Sequence, residues 1–225
     1  MILEKERKEI ADYLKKMLES GLTKGTSGNI SIFDRKNGYI AISPSGMNYE
    51  EIIPEDVVVI DLDKNIIEGN RKPSSESDLH IAIYKSKPEA NSVVHTHSMF
   101  CTVLSTLNMP IKSVHYVIAD CGSAEVPVAP YRIYGSEDLA ISVVNTIGKS
   151  NACLLANHGM VACGDNLKSA FGLASTCEWV AEIQWRALSV GTPNYLSDNQ
   201  IIEVEEKFKT YGQNSELNEK NSYFG

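Results

Sequence analysis

Two histidines separated by a single residue, His95 and His97, form the sharpest chemical pattern in the sequence. They close an apolar segment typical of a β-strand, in which residues i and i+2 point to the same face. A third histidine, His158, occupies an Asn-His-Gly turn between two further apolar segments. Three imidazoles with one exchangeable position are typical of a catalytic zinc site, although imidazole also suits other divalent ions. We therefore predict a metal site at these three histidines; the alternative is that they are core histidines held by hydrogen bonds.

Three segments rich in glycine, hydroxyl and amide groups are suited to binding an anion. They are residues 25–29 (GTSGN), 43–46 (SPSG) and 74–75 (SS). Glycines let backbone N–H groups form anion-binding nests, and the serine pair opens a predicted helix whose N-terminal dipole favours an anion. We predict a phosphate pocket from these segments, each of which, taken alone, would be an ordinary loop or helix cap. The sequence has no nucleotide-binding glycine motif.

Glu76 is the main candidate for acid–base chemistry, because it directly follows the serine pair at the start of a predicted helix. Its structural alternative is a first-turn glutamate that complements the helix dipole. Glu76 and His80 share a helix face, so a Glu–His metal pair is conceivable, but ordinary helix packing is favoured for His80. Tyr116 and Tyr211 are phenols that could carry a proton, although ten tyrosines prevent composition from selecting them.

The pattern of apolar residues predicts a single α/β domain, residues 1–225, with a mainly antiparallel central sheet flanked by helices. Asn37-Gly38 joins two short strands as a hairpin, which requires antiparallel pairing. The other predicted elements are helices at 3–20, 75–87, 100–107, 137–147, 167–188 and 200–210, and strands at 57–62, 66–67, 92–95, 126–129, 153–156 and 160–163. The polar residues 214–225 are predicted to be a disordered tail.

Composition excludes several classes of function. The chain has 225 residues and a formal net charge of -8, without the basic excess of a nucleic-acid binder. No apolar run approaches the roughly 20 residues of a transmembrane helix, and the charged N-terminus lacks the apolar region of a secretory signal. Five cysteines without a C-x-x-C pair are typical of buried thiols in a reducing compartment. We expect a cytoplasmic protein without nucleic-acid or membrane partners.

Several segments, in this order, resemble the class II aldolase/adducin-head family over residues 8–211. The matching segments include GTSGNIS, ISPSGMNYE, KPSSESDLH, VVHTHSMFCTVLS, HYVIADCG and LLANHGMVACG. The resemblance implies a largely antiparallel sheet flanked by helices and a homotetramer with active sites between subunits. It also implies a zinc-dependent aldolase that cleaves L-fuculose 1-phosphate reversibly to dihydroxyacetone phosphate and L-lactaldehyde.

The resemblance also assigns roles to individual residues. It makes His95, His97 and His158 the zinc ligands, and Glu76 a carboxylate that contacts the resting metal and then acts as acid–base. It places the substrate phosphate among six residues, Gly28, Asn29, Ser45, Gly46, Ser74 and Ser75.

The resemblance gives two tyrosines roles at the site and shows two departures. Tyr116 would be inserted from a neighbouring subunit, and Tyr211 would act near the C-terminus. Ser45 stands where a threonine is frequent, and Tyr134 stands where an aromatic without a hydroxyl is familiar. Alternatives of the same fold are an aldolase for another deoxyketose 1-phosphate, a pentulose-phosphate 4-epimerase or a methylthioribulose-phosphate dehydratase. The epimerase branch carries aspartate at the Glu76 position. A non-catalytic adducin-like module is the alternative of another class.

Overall fold

The computed structural model describes residues 1–210, which form a central β-sheet with helices on both faces. The helices are α1 (Glu4–Glu19), α2 (Ser77–Ser86), α3 (Met99–Thr106), α4 (Glu137–Ile147), α5 (Leu167–Val190) and α6 (Asp198–Phe208). The strands are β1 (Asn29–Asp34), β2 (Tyr39–Ile42), β3 (Val58–Asp61), β4 (Ile66–Glu68), β5 (Ser92–Thr96), β6 (Ile111–Lys112), β7 (Glu125–Val126), β8 (Val128–Ala129), β9 (Ala152–Leu155) and β10 (Gly159–Gly164). Two short 3-10 helices cover Pro54–Asp56 and Tyr116–Cys121.

The main sheet has eight strands in the order β4-β3-β2-β1-β5-β10-β9-β8. Every neighbouring pair is antiparallel except β8 and β9, which are parallel. The predicted mainly antiparallel sheet flanked by helices is therefore confirmed. Within residues 1–210, no helix is both long and apolar enough to cross a lipid bilayer.

The two faces of the sheet carry separate hydrophobic cores. On β5, Val94 packs in the core that contains residues of α1, α3 and α5, whereas Val93 packs in the core that contains residues of α2 and α4. Alternation along a strand then places His95 on the same face as Val93, towards α2. The strand period thereby directs this imidazole to the side of the sheet where Glu76 lies.

Two local predictions differ from the structure. The helix predicted to begin at Ser75 begins at Ser77, and the Ser74 hydroxyl accepts from the Glu76 N–H at 3.2 Å. Asp78, in the first turn of this helix, forms an ion pair with Lys64. The stretch predicted as one strand at 126–129 is divided between two sheets, with Pro127 at the division, since β7 pairs with β6 and β8 pairs with β9. The predicted tail at 214–225 lies outside the described residues.

A carboxylate from α5 holds the start of α3, directly after the His95–His97 segment. The two oxygens of Glu178 accept from the backbone N–H groups of Phe100 and Cys101 at 2.8 and 2.9 Å. These are among the N–H groups that a helix leaves without an internal partner at its N-terminus, and an anion there also complements the helix dipole. Glu178 therefore connects the longest helix to the segment that carries the metal candidates.

We predict that Glu178→Ala lowers the free energy of unfolding by about 1–3 kcal/mol, because it leaves two part-buried N–H groups without acceptors. Glu182→Ala, on the same helix, removes an ion pair with the exposed Arg186 and should change stability by less than about 0.5 kcal/mol. Chemical denaturation monitored by circular dichroism measures both. Equal effects of the two substitutions would contradict the cap.

Candidate metal centre and phosphate pocket

The three predicted histidines meet at one end of the sheet. Their ligand nitrogens all lie within 4.8 Å of one another, and the Nε2 atoms of His95 and His97 are 3.0 Å apart. His95 lies at the end of β5, His97 directly follows that strand, and His158 precedes β10. Because β5 and β10 are antiparallel neighbours, the end of one lies beside the start of the other. The cluster therefore follows from the strand pairing, although the two sequence segments are far apart.

A backbone contact fixes which nitrogen His95 presents, and a turn positions His158. His95 is fully buried, and its Nδ1–H donates to the Met160 carbonyl oxygen at 2.9 Å, which leaves the Nε2 lone pair facing the other histidines. His158 is held by a turn in which Asn157 adopts a left-handed conformation with φ 56°, a conformation that asparagine tolerates better than most residues. Both features orient imidazoles as metal ligands require.

Two glycines allow the backbone segments around the cluster to approach closely. A Cβ atom at Gly159 would lie 2.3 Å from the Thr96 carbonyl oxygen. At Gly28, where φ is 83°, a Cβ atom would lie 2.6 Å from the His95 carbonyl oxygen. Neither contact is tolerable, so glycine is needed at both positions for the segments to sit against the histidine strand.

Glu76 completes the cluster as a buried carboxylate. Its Oε2 lies 3.2 Å from His95 Nε2 and accepts from the Asn29 amide at 2.9 Å, and its Oε1 lies 3.5 Å from His158 Nε2. Among the described residues, Oε1 has no hydrogen-bond partner, although it is buried. A buried carboxylate oxygen without a donor, beside the His158 imidazole of the three-histidine cluster, fits a divalent cation at this place.

The pKa shifts of Glu76, His97 and His158 agree with this donor set, whereas the pKa of His95 is shifted upward, towards the protonated form. Burial raises the pKa of Glu76, but the charge and hydrogen bond of His95, then His158 and Asn29, outweigh it and lower the pKa. Burial, followed by the charges of neighbouring histidines, lowers the pKa of His97 to about 3 and that of His158 to about 4. Burial also acts to lower the pKa of His95, but Glu76 raises it. Neutral imidazoles and an ionised carboxylate are the forms that bind metal.

The predicted phosphate residues line one cavity together with the metal candidates. This cavity, of about 360 Å³, is bounded by Gly28, Asn29, Ser45, Gly46, Ser74, Ser75, Glu76, His97 and His158. The three segments chosen from the sequence therefore meet beside the cluster. A larger cavity of about 680 Å³ is lined by residues such as Lys87, Asp120 and Asp165 and by none of the candidate residues within 1–210. The candidate residues therefore mark the smaller cavity as the candidate site.

A loop that the sequence interpretation used only in part completes the cavity wall. Tyr131, Arg132 and Tyr134 also line this cavity. Sequence reasoning singled out Tyr134 alone and did not select Arg132. The signal available was the PYRIYGS segment, where an arginine and two aromatics occur in a loop without apolar periodicity.

The remaining candidates lie elsewhere. Tyr116 is half-exposed, stacks on His115 with ring centroids 4.7 Å apart, and is not among the described residues that line this cavity. Tyr211 lies outside the described residues. His80 is fully buried and contacts Asn29 and Ser31, so it does not form a metal pair with Glu76.

We predict that the purified protein binds about one zinc ion per chain and that His97→Ala abolishes stoichiometric binding, because it removes one of three imidazole ligands. His115→Ala is the matched control: it also removes an imidazole, but one that packs on Tyr116 and Trp179 away from the cluster. Metal content after dialysis measures both. A His97→Ala protein that retains one zinc per chain would show that the cluster is not the site.

Comparison with known proteins agrees with this geometry. Residues 8–185 match the family described as Class II Aldolase and Adducin N-terminal domain. The chain is 46% identical over 213 residues to the 5-deoxy-D-ribulose 1-phosphate aldolase of Bacillus thuringiensis serovar kurstaki, covering 95% of this chain and 100% of the relative. It is 40% identical over 206 residues to the L-fuculose phosphate aldolase of Escherichia coli O6:H1, covering 91% and 94%.

A solved structure of an L-fuculose 1-phosphate aldolase superposes with a TM-score of 0.89 at 39% identity and covers 91% of this chain and 96% of its own. The related aldolases indicate a lyase, and the superposition confirms the expected fold. On this evidence, the chain belongs to the class II aldolase and adducin N-terminal domain family.

Proposed function

We propose that this enzyme cleaves a deoxyketose 1-phosphate between C3 and C4, releasing dihydroxyacetone phosphate and a short aldehyde. The observation that carries the proposal is that His97, His158 and Glu76, which cluster with the buried His95, share one cavity with three segments rich in hydroxyl and amide groups. A phosphate held at one end of such a cavity would fix the position of the reacting carbons relative to the metal ligands.

His95, His97 and His158, with Glu76, would hold a divalent ion, which we propose to be zinc. When bound, it would supply Lewis-acid chemistry by polarising the substrate carbonyl and stabilising the negative charge that develops beside it. The residues Gly28, Asn29, Ser45, Gly46, Ser74 and Ser75 would bind the C1 phosphate through backbone N–H, hydroxyl and amide groups. Their position on the cavity wall supports this role.

Glu76, which is ionised in the resting site, would receive the proton that the C4 hydroxyl gives up, by way of Tyr116 and solvent, and would deliver it to C3 of the retained fragment. After the C3–C4 bond breaks, C3 must gain a proton and the C4 hydroxyl must lose one. Asn29 holds Oε2 of Glu76, whereas Oε1 has no hydrogen-bond partner among the described residues, so Oε1 is the atom free to carry a proton to C3. Tyr116 from a neighbouring subunit would accept the C4 hydroxyl proton, and Tyr211 would assist near the C-terminus.

Two substrates are supported, and we propose 5-deoxy-D-ribulose 1-phosphate as the better one. The relative named for that sugar is 46% identical, against 40% for the L-fuculose phosphate aldolase. L-fuculose 1-phosphate, expected from the family resemblance, is the second candidate. The released aldehydes, acetaldehyde and L-lactaldehyde, differ by one CHOH group, so the choice depends on the wall that faces the aldehyde. We place Tyr131, Arg132 and Tyr134 on that wall.

We also propose that the enzyme is a cytoplasmic homotetramer with sites between subunits. Tyr116 and Trp179 are each about half-exposed on the surface, which supports a role in contact with another copy. Five buried cysteines without disulfides support a reducing compartment.

The test is product analysis with both sugar phosphates. The zinc-loaded enzyme should release dihydroxyacetone phosphate, faster from 5-deoxy-D-ribulose 1-phosphate, and a chelator should stop the release until zinc is restored. An epimerase or dehydratase would retain all carbons in one product. Absence of triose phosphate from both sugars would overturn the proposal.

The Glu76→Gln variant tests the role of the carboxylate in the reaction, and Glu182→Gln is its control. Glu76→Gln keeps the size of the side chain and should lower the rate by about 10²–10⁴, the usual contribution of a positioned acid–base group. Glu182→Gln makes the same change on a part-exposed helix face and should leave the rate unchanged. A fully active Glu76→Gln enzyme would remove the carboxylate from the mechanism.

A further inference from the structure

Behind Glu76, buried polar side chains form one continuous hydrogen-bonded chain away from the cavity. Asn29 Nδ2 donates to Glu76 Oε2 at 2.9 Å, and Asn29 Oδ1 lies 2.5 Å from His80 Nε2. His80 Nδ1 lies 2.6 Å from Ser31 Oγ, which lies 2.6 Å from the Tyr84 hydroxyl. His80 and Ser31 are fully buried, and Tyr84 is 1% exposed.

The periodicities of two elements bring these side chains together. Glu76, His80 and Tyr84 follow one another at intervals of four along α2 and its N-cap, so they form a single helix stripe. Asn29 and Ser31 alternate along β1 and therefore point to the same face. The hydrogen bonds run alternately from the helix stripe to the strand face and back. This packing of one polar row against another accounts for a polar chain inside an otherwise apolar core.

The carboxylate fixes the direction of every hydrogen bond in the chain. Suppose instead that His80 Nε2 were unprotonated and accepted a hydrogen bond from the Asn29 NH₂ group. The amide would then turn its oxygen towards the Glu76 carboxylate, and two acceptors would face each other at 2.9 Å. His80 Nε2–H must therefore donate to Asn29 Oδ1. Its Nδ1 then accepts from the Ser31 hydroxyl, which in turn accepts from the Tyr84 hydroxyl. Burial, followed by the charge of His95, lowers the pKa of His80 to about 3, in agreement with one donor and one acceptor on a neutral ring.

We propose that His80 is a positioning residue, whose Nε2–H holds the Asn29 amide so that its NH₂ group fixes Glu76 Oε2 and leaves Oε1 directed at the substrate. Without this donor, the Asn29 amide loses one of the two hydrogen bonds that hold it in place, and only its bond to Glu76 remains. The amide could then rotate away from the carboxylate, and Glu76 Oε2 would be less firmly held. Asn29 also lines the cavity, so the phosphate end would lose its order as well. The catalytic part of this inference rests on the proposed function.

The direct test is the tautomer of His80, measured by long-range ¹⁵N–¹H NMR on the full chain labelled at histidine and assigned with His80→Gln. The chain requires the proton on Nε2. A proton on Nδ1, or a doubly protonated ring at neutral pH, would overturn the proposal. This result does not depend on which sugar the enzyme cleaves, so it separates failure of this inference from failure of the proposed function.

The kinetic test compares three variants of the zinc-loaded enzyme. His80→Leu should lower kcat/KM by about 10–100-fold, the usual loss for a residue that orients a metal-site ligand. His80→Gln should recover most of that loss, because its amide can donate from a place close to Nε2. Ile83→Val removes one buried methyl group from the same helix without touching the chain and should lower stability but not kcat/KM.

Thermal unfolding of each variant separates positioning from a general loss of stability. A folded His80→Leu enzyme with wild-type kcat/KM would contradict the proposal. So would a folded His80→Gln enzyme as impaired as His80→Leu. If His80→Leu does not fold, the tautomer and His80→Gln still decide the question.

Discussion

The burial of the Glu76 carboxylate is the constraint on which the rest of the site depends. A carboxylate removed from water is stable only when charges or hydrogen-bond donors compensate it. Here His95 and His158 face it from the sheet and Asn29 donates to it from β1. Among residues 1–210, its other oxygen has no hydrogen-bond donor. The same arrangement that stabilises the ionised carboxylate thus creates a place where a divalent cation would be favourable.

The antiparallel sheet supplies this arrangement through its central strands. Asn29 on β1 and Val161 on β10 are the two cross-strand partners of His95, so His95 lies between two neighbouring strands that both begin at the site. Gly28 and Gly159 allow the adjoining backbone to reach the histidine strand. The candidate metal ligands therefore lie on a strand or at residues directly adjoining a strand or helix, whereas Tyr131, Arg132 and Tyr134 on the cavity wall belong to a loop, which is a common division in enzymes.

The sequence predicted those parts of the site that depend on local pattern. A histidine pair at strand spacing, hairpin turns and glycine-serine segments are all visible without knowledge of contacts, and the structure brings them together. Arg132 and the chain through His80 were missed, because their roles depend on which elements pack against each other. His80 was interpreted as a packing residue, because its spacing of four from Glu76 along the helix is the same whether it packs in the core or holds a polar side chain. The split at Pro127 was missed because partner choice between two sheets is not encoded in periodicity.

The most direct test of the central claim is anomalous X-ray diffraction at the zinc edge from crystals of the enzyme grown with zinc. The account predicts one strong anomalous peak per chain, in contact with the Nε2 atoms of His95, His97 and His158 and beside Glu76. A peak elsewhere, or no peak at these histidines in zinc-saturated crystals, would contradict it.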